Sequence, residues 1–178
     1  MRRIDHAAVG LFERSDLGHL GIREREVEHR QIFLEPVGVA NFTVALTEEA
    51  TRLAEEPLVT NQIEVHPFID RSKVMAACRQ HGISVTAYCP IARGKVPGNP
   101  VLERIGKAHG KSAAQVSLRY LVQQGIIPIP RTSKVERLKE NFEIFDFTLS
   151  ETEMAEIGKL KRPDGRVVSP PHAPQWDG

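Results

Sequence analysis

The amino-acid sequence predicts an α/β fold in which parallel strands alternate with helices. Two observations carry this prediction: short apolar runs alternate with amphipathic segments from about residue 37 onward, and Gly, Asp and Ser residues mark the ends of these segments. A chain of 178 residues with 40% hydrophobic and 26% charged residues can bury a core. We therefore expect a single folded domain over residues 1–178.

Charge and composition exclude several classes of protein. Lys and Arg number 24 against 23 Asp and Glu, so the net charge of +1 favours neither nucleic acid nor an anionic membrane as a partner. No apolar run approaches the roughly 18 residues of a membrane span, and the opening MRRIDH does not lead into a secretory segment. The only cysteines, Cys78 and Cys89, lack metal-type spacing. These features predict a cytoplasmic protein without a metal.

Short apolar runs in the second part of the chain predict four strands. They lie at Val37–Asn41, Leu58–Glu64, Ile83–Tyr88 and Ile126–Ile129. The first 36 residues are less regular, with short strands expected at Arg2–Asp5 and Ile32–Leu34 and a helix at Leu17–Glu28. The Pro- and Gly-rich segment 163–178 has no periodicity, which predicts a tail or a covering loop.

Amphipathic segments between the strands predict helices. They lie at Thr47–Glu55, Arg71–His81, Asn99–His109, Ser112–Gln124 and Lys134–Asn141. Asp70 is a candidate N-cap, Gly110 and Gly125 are placed to end helices in the left-handed conformation, and Ser150–Glu153 has the pattern of a capping box. A last helix therefore starts after Ser150.

Polar side chains collect where the predicted strands end, and in parallel βα folds these ends share one functional surface. They are Asn41 after the first strand, Asn61, Gln62 and Glu64 on the second, Tyr88 and Cys89 after the third, and Arg131, Thr132 and Ser133 after the fourth. For Asn41 and Gln62, the alternative is that amides near strand ends merely cap turns. The Tyr88 ring can either stack on a planar heterocycle or close the end of the core.

The end of the fourth strand has the chemistry of a phosphate site. Arg131-Thr132-Ser133-Lys134 precedes a predicted helix that places Arg137 one turn further on. A helix amino terminus has free N–H groups and partial positive charge, so additional cations there are unfavourable unless an anion binds. A solvated run of surface charge is the alternative. Eight-stranded βα barrels commonly bind phosphate after their last strands.

Other chemical motifs are missing from the sequence. The seven histidines are dispersed without paired spacing, which argues against a metal site. There is no Walker loop, GxGxxG or GxSxG motif. His66, which precedes Pro67, is interpreted as a packed or hydrogen-bonded turn residue.

Several ordered motifs between residues 37 and 178 resemble the aldo/keto reductase family, most closely its bacterial diketogluconate reductase type. They are GVANF at 38–42, NQIEVHP at 61–67, AYCP at 87–90, IPRTS at 129–133 continuing to Glu140-Asn141, FDFTLS at 145–150 and PQWD at 174–177. The resemblance implies a (β/α)8 barrel that reduces aldehydes or ketones with NADPH and without a metal. Its small-molecule partner would be a carbonyl compound.

The resemblance also implies roles for individual residues. The cofactor-binding set is Asn41, Gln62, Tyr88, Cys89, Arg131, Thr132, Ser133, Arg137, Glu140 and Asn141. Asn41 and Gln62 would hold the nicotinamide carboxamide, and Tyr88 would stack on its ring. Arg131, Thr132 and Arg137 would bind the 2′-phosphate, with Glu140 and Asn141 at the adenosine. Ala40 and Cys89 stand where serine is common in the family, and Trp176 would border the substrate pocket.

The family's catalytic tetrad of Asp, Tyr, Lys and His is not complete in this sequence. Asp5 matches the Asp, but the tyrosine position falls on Gly10, and Leu34-Glu35-Pro36 runs directly into Val37 where the segment with the Lys and His would lie. None of the eight lysines lies in an apolar strand. We therefore expect an inactive or weakly active enzyme.

Chain length agrees with this expectation, because a (β/α)8 barrel seldom has fewer than about 200 residues. The expected fold is an incomplete (β/α)8 barrel, truncated or internally deleted, whose carboxyl-terminal half is largely intact. Residues 1–36 would be a remnant of the first half, 37–162 the cofactor-binding βα units and 163–178 the carboxyl-terminal loop. The alternative is a catalytically dead nucleotide-binding or interaction module that self-associates through its exposed sheet edges.

Overall fold

The computed structural model describes residues 36–162 and 164–169. The elements predicted within 1–35, the candidate catalytic residue Asp5 and the candidate substrate residue Trp176 lie outside the described residues. The described residues all belong to one compact unit.

A four-stranded parallel sheet forms the centre of this unit. Its strands are β1 (Val37–Ala40), β2 (Leu58–Glu64), β3 (Ser84–Tyr88) and β4 (Ile127–Pro128), and they pair in the order β1-β2-β3-β4. All three pairings are parallel. The predicted strand boundaries are confirmed to within one residue at each end. One or two helices lie between successive strands along the chain, and these crossovers allow the strands to pair in parallel.

Within the described residues, six α-helices follow or link the strands. They are α1 (Val44–Leu53), α2 (Ser72–Gln80), α3 (Pro100–His109), α4 (Ala113–Val122), α5 (Val135–Phe142) and α6 (Glu151–Gly158). The predicted start of the first helix at Thr47 was wrong by three residues. The Thr43 side chain accepts a hydrogen bond from the Leu46 backbone and so begins the helix a turn earlier.

Side-chain capping accounts for most helix starts among the described residues. Ser112 and Ser150 each form a complete capping box, which confirms the prediction at Ser150. Gly110 ends α3 with φ 65°, a left-handed conformation that glycine adopts without steric cost. Asp70 lies one residue outside the N-cap of α2, and its carboxylate accepts a hydrogen bond from the Ser72 backbone.

The core lies between the sheet and the helices. Asn61, Ile63, Val85 and Ala87 are buried on the face of the sheet that the helices cover, where they meet fully buried side chains such as Leu121. The opposite face is more polar and more exposed, and the Thr60 and Thr86 hydroxyls on it hydrogen-bond at 2.8 Å. Side chains alternate between the faces because successive residues of a strand point to opposite sides.

The sheet has an open edge at each end within the described part of the chain. No described strand pairs with the outer side of β1 or of β4. Helix α5, beside β4, has no buried residue. The described residues thus form an α/β unit with four parallel strands, half the number in a complete (β/α)8 barrel.

Candidate functional site

Three polar residues lie close together near the carboxyl ends of β1, β2 and β3. The Tyr88 hydroxyl donates a hydrogen bond to Asn41 Oδ1 at 2.9 Å, and the Asn41 backbone N–H donates to the Gln62 carbonyl at 2.9 Å. Gln62 is exposed on the polar face of the sheet, and Tyr88 is half-buried. The structure therefore brings Asn41, Gln62 and Tyr88 together, as their positions at strand ends require.

Backbone conformations that are rare for L-residues occur at this same edge. Asn41 directly follows β1 with φ 59°, and Cys89 directly follows β3 with φ 51°. Ala92 and Arg93, in the short turn after Cys89, also have positive φ angles. Such conformations cost about 1–3 kcal/mol each and concentrate at functional sites. The sharp turn at Asn41 leaves its side chain within hydrogen-bonding distance of the Tyr88 hydroxyl.

Glu64 forms a buried hydrogen-bonded cluster beside Tyr88, its register partner on β3. Its carboxylate accepts hydrogen bonds from the backbone N–H groups of Val167 at 2.6 Å and Val168 at 3.2 Å, and Arg166 Nη1 lies 3.5 Å away. The carboxyl-terminal segment, which was predicted to be a tail or covering loop, is thereby attached to the end of β2. Sequence reasoning missed these partners, although a carboxylate ending an apolar strand signals that partners are needed.

His66 completes this cluster on the other side of the carboxylate. Its Nε2 lies 3.1 Å from Glu64 Oε1, while its Nδ1 accepts a hydrogen bond from the Phe68 backbone at 3.3 Å. Because Nδ1 accepts, Nε2 carries the proton and donates to the carboxylate. His66 is buried and hydrogen-bonded in a turn, which confirms its interpretation as a structural residue.

The cluster shifts two pKa values in opposite directions. Burial by itself disfavours the charged carboxylate of Glu64, but hydrogen bonds from His66 and from the backbone of Val167 outweigh it and hold the pKa below its ordinary value of 4.5. Burial, with a further contribution from the Glu64 charge, raises the pKa of Tyr88 above 10.0. Glu64 therefore stays ionised near neutrality, and the Tyr88 phenol holds its proton more tightly than a free tyrosine.

Asn61 has a structural role rather than a binding role. Its side chain is fully buried on the helix-covered face, where Nδ2 donates to the Phe42 carbonyl at 3.1 Å and Oδ1 accepts from the Phe42 backbone N–H at 3.3 Å. These bonds fix the chain as it leaves β1, so Asn61 positions the neighbouring Asn41.

The predicted phosphate-binding residues lie in the loop from β4 to α5 and in the first turn of α5. Thr132 Oγ1 accepts a hydrogen bond from the Lys134 backbone at 3.1 Å, and α5 begins at its N-cap Lys134 without any side-chain cap. Arg131, Lys134 and Arg137 are exposed and have no carboxylate partner among the described residues. Free N–H groups and unpaired cations at a helix start suit an anion.

The remaining members of the predicted set surround this helix. Ser133 is exposed beside Thr132, and Glu140 is exposed on α5 with its carbonyl bonded to Gln115 Nε2 at 3.0 Å. Asn141 lines a largely apolar cavity of about 340 Å³ beside β4. The structure thus places the set in two groups, one at the ends of β1 to β3 and one around the start of α5.

Both tyrosines and all eight lysines lie within the described residues. Tyr88 is bonded to Asn41, while Tyr120 is buried within α4 on the helix side of the sheet. None of the lysines is buried, and Lys111, which is the least exposed, pairs with Asp146 at 2.7 Å. The described residues therefore contain no tyrosine paired with a buried lysine.

No helix in this part of the chain is long and apolar enough to cross a membrane.

Comparison with known proteins establishes the family. The model of the aldo/keto reductase family matches residues 34–162, which is more than half of the chain. The chain belongs to the aldo/keto reductase family. The sheet order, the helices on one face and the polar edge at the strand ends all agree with the (β/α)8 barrel of that family.

Individual relatives agree with this assignment. The chain is 39% identical over 134 residues to a glyoxal reductase of Bacillus subtilis, covering 75% of this chain and 48% of the relative. A solved structure of a candidate 2,5-diketo-D-gluconic acid reductase B is 50% identical with a TM-score of 0.77, covering 79% of this chain and 51% of that one. A variant of the protein Gox0644, solved in complex with NADPH, is 30% identical with a TM-score of 0.72 over 78% of this chain and 51% of that one. The chain spans about half the length of the curated relatives it matches.

Proposed function

We propose that this chain binds NADPH in the manner of an aldo/keto reductase. The proposal rests on one observation. Asn41, Gln62 and Tyr88 are neighbours at the carboxyl edge of the sheet, and the Tyr88 hydroxyl lies 2.9 Å from Asn41 Oδ1. This bond fixes the Tyr88 ring as a platform and orients the Asn41 amide, leaving its Nδ2 group for a ligand carbonyl. Gln62, on the exposed polar face, supplies a second amide.

The residues around α5 fit the other end of this cofactor. An uncapped helix start with Arg131 and Arg137 nearby suits a phosphate dianion, because arginine binds phosphate oxygens in a bidentate manner. Ser133 adds an exposed hydroxyl donor. The Thr132 hydroxyl donates to the Lys134 carbonyl at 3.2 Å and would exchange this exposed bond for one to a phosphate oxygen. Glu140 and Asn141 lie further along α5 for the adenosine. Cys89, next to Tyr88, takes the place of a hydroxyl near the ring. Selectivity for the 2′-phosphate of NADPH over NADH then rests on this group.

Carbonyl reduction is the activity of the family to which we assign this site. When bound, NADPH supplies the hydride for a carbonyl carbon, and a protein acid must then protonate the oxygen. Within the described residues, Tyr88 has a raised pKa and a hydrogen-bonded hydroxyl, so it serves binding better than proton transfer. We propose that the chain binds NADPH and, by itself, reduces aldehydes or ketones weakly or not at all.

Calorimetric titration of the full chain with NADPH and NADH tests this proposal. We expect NADPH to bind with a dissociation constant of tens of micromolar or tighter, and Arg137→Ala to weaken it about tenfold, which corresponds to one charge-assisted contact of about 1.4 kcal/mol. NADH affinity should change less than twofold in the same variant. Arg79→Ala, an exposed arginine on α2, is the matched control and should bind both nucleotides as the unchanged chain does.

Two outcomes would contradict the proposal. Equal loss of NADPH and NADH affinity in Arg137→Ala would show that Arg137 does not contact the 2′-phosphate. Turnover of a simple aldehyde at about 1 per second or faster would show that the chain has a competent proton donor.

A further inference from the structure

The turn that leaves β1 is the place where Asn41 enters the candidate cofactor site. Asn41 has φ 59° there, a left-handed conformation that is uncommon for residues other than glycine. Such a conformation is unfavourable by itself and persists only where the surrounding structure fixes it. The residues that hold this turn therefore determine where the Asn41 amide points.

Strand β2 holds the turn through two adjacent residues. The Gln62 carbonyl accepts a hydrogen bond from the Asn41 N–H at 2.9 Å. Asn61 Oδ1 accepts from the Phe42 N–H at 3.3 Å, and Asn61 Nδ2 donates to the Phe42 carbonyl at 3.1 Å. Hydrogen bonds from β2 thus fix the backbone of Asn41 itself and of the residue that follows it.

The Asn61 side chain is suited to this double contact with Phe42. A carboxamide presents an acceptor and a donor side by side, which match the N–H and C=O groups of one residue. Asn61 is 0% exposed, so water does not compete for either bond. Its Nδ2 also lies 3.8 Å from Cys78 Sγ on α2, which supports the amide from the helix layer. Neither a carboxylate nor an aliphatic side chain of the same size can make both bonds.

Tyr88 holds Asn41 from the other face of the sheet. Val85 and Ala87 are buried on the helix-covered face of β3, so Tyr88, the next residue in the alternation, lies on the polar face. Its hydroxyl donates to Asn41 Oδ1 at 2.9 Å. Tyr88 therefore fixes the Asn41 side chain, while Asn61 fixes the backbone that carries this side chain.

We propose that Asn61 is a positioning residue for the nicotinamide end of the cofactor. This inference rests on the proposed function, and Asn61 acts through Asn41 rather than by contact with the ligand. Without the bonds to Phe42, the turn relaxes and the Asn41 amide loses its fixed orientation beside Tyr88. Binding groups have to be held within about 0.5 Å of their productive geometry, so even a small relaxation weakens the contact.

The residues around α5 provide an internal reference for this proposal. Arg131 and Arg137 lie beside β4, which is separated from β1 by β2 and β3 in the sheet. Loss of the Asn61 side chain should therefore weaken recognition of the nicotinamide and leave recognition of the 2′-phosphate intact. A general loss of folding would weaken both.

Calorimetric titration with NADPH and with 2′-phospho-ADP-ribose, which lacks the nicotinamide, provides the first test. We expect Asn61→Ala to weaken NADPH about tenfold, which corresponds to one hydrogen bond of about 1.4 kcal/mol, and the fragment less than about twofold. Ile105→Ala truncates a fully buried side chain of α3 and is the matched control, which should bind both ligands as the unchanged chain does. Circular dichroism checks folding in all variants.

A second substitution covers the case in which Asn61→Ala does not fold. Asn61→Asp keeps the size of the side chain, but as a carboxylate it cannot donate to the Phe42 carbonyl. It should show the same selective loss of NADPH affinity.

A double-mutant cycle tests whether Asn61 acts through Asn41. Asn41→Ala alone should weaken NADPH about tenfold, and the variant with both Asn41→Ala and Asn61→Ala should also lose about tenfold. Two residues that act independently would instead lose about a hundredfold together, because their effects on the dissociation constant would multiply.

NMR spectra of the chain with isotope-labelled tyrosine rings provide a measurement that needs no cofactor. Tyr88 and Tyr120 are the two tyrosines, so the spectrum has two sets of ring signals. Asn61→Ala should move the Tyr88 signals in the same direction as Asn41→Ala, because both substitutions disturb the hydrogen bond of the Tyr88 hydroxyl. Ile105→Ala should leave the Tyr88 signals in place.

Three results would overturn the inference. They are equal losses of affinity for NADPH and for the fragment in Asn61→Ala, losses that multiply in the double-mutant cycle, and Tyr88 signals that do not respond to Asn61→Ala. If the unchanged chain binds no NADPH, the proposed function fails together with this inference. If it binds NADPH with an affinity that Asn61→Ala does not change, this inference fails alone, so the two failures are distinguishable.

Discussion

The two halves of the candidate site differ in how firmly the fold holds them. At the ends of β1 to β3, Asn41 is fixed by Tyr88 and by the turn that Asn61 holds, and Glu64 is enclosed by hydrogen bonds. Around α5, by contrast, Arg131 and Arg137 are exposed and the helix has no buried residue. Burial and hydrogen bonding thus preorganise the proposed nicotinamide end, whereas the proposed phosphate end is defined by charge.

The largest expected effect comes from a truncation in the core of the preorganised half. Ile63→Ala removes a buried side chain of β2 and should lower the free energy of unfolding by about 3 kcal/mol, since buried Ile-to-Ala changes cost about 2–5 kcal/mol. Lys139→Ala on α5 should change it by less than about 0.5 kcal/mol. Urea denaturation at one protein concentration measures both. If both variants lower the free energy of unfolding by similar amounts, the fold holds the two regions equally firmly.

A smaller effect is expected from the turn after β1. Asn61→Ala leaves the buried N–H and carbonyl of Phe42 without their partner, which should cost about 2 kcal/mol. The adjacent Gln62→Ala changes an exposed side chain and should leave the free energy of unfolding within about 0.5 kcal/mol of the unchanged chain. Urea denaturation again provides the measurement, and an Asn61→Ala variant as stable as Gln62→Ala would show that Asn61 does not hold the turn.

The smallest expected effect depends on pH. Because the folded state lowers the pKa of Glu64, ionised Glu64 stabilises the fold fully above its ordinary value of 4.5, and this contribution is lost as the pH falls toward the folded pKa. Glu64→Gln should therefore cost about 1.5 kcal/mol at pH 7, since hydrogen bonds to charged groups contribute about 1.5–3 kcal/mol, and clearly less at pH 3.5.

Urea denaturation of the unchanged chain and Glu64→Gln at both pH values measures this difference. Asn61→Ala serves as the control. The hydrogen bonds that it removes involve no titrating group, so its decrease in the free energy of unfolding should be the same at pH 7 and pH 3.5. If Glu64→Gln lowers the free energy of unfolding equally at both pH values, then the shape of the Glu64 side chain, rather than its charge, holds the carboxyl-terminal segment.

Much of this fold follows from local sequence signals. Alternating apolar runs predicted the four strands, and the capping box at Ser150 and the glycine at Gly110 predicted helix ends, because these features act between residues close in sequence. The start of α1 was misplaced because β-favouring residues surround Thr43, whose cap becomes evident only once the helix has formed.

Long-range contacts were the part that sequence could not predict. Glu64 and Val167 are 103 residues apart, and nothing in the Pro- and Gly-rich carboxyl-terminal segment signals a bond to a strand end. The separate roles of Asn61 and Gln62 depend on which face of β2 each occupies, and that is set by the register of the whole sheet. The position of the cations at the start of α5 was easier to predict, because it follows from the local sequence and depends on no tertiary contact.

The Glu64 cluster determines where this protein can be shortened. A chain that stops after Gly165 would lose the N–H groups of Val167 and Val168 and the nearby guanidinium of Arg166, yet would keep a carboxylate at the buried end of β2. Residues 166–168 thus belong to the minimal folding unit although they form neither helix nor strand. For the same reason, tags and fusion partners belong beyond Val168, and a cut before it removes part of the hydrogen-bonded cluster at the end of β2.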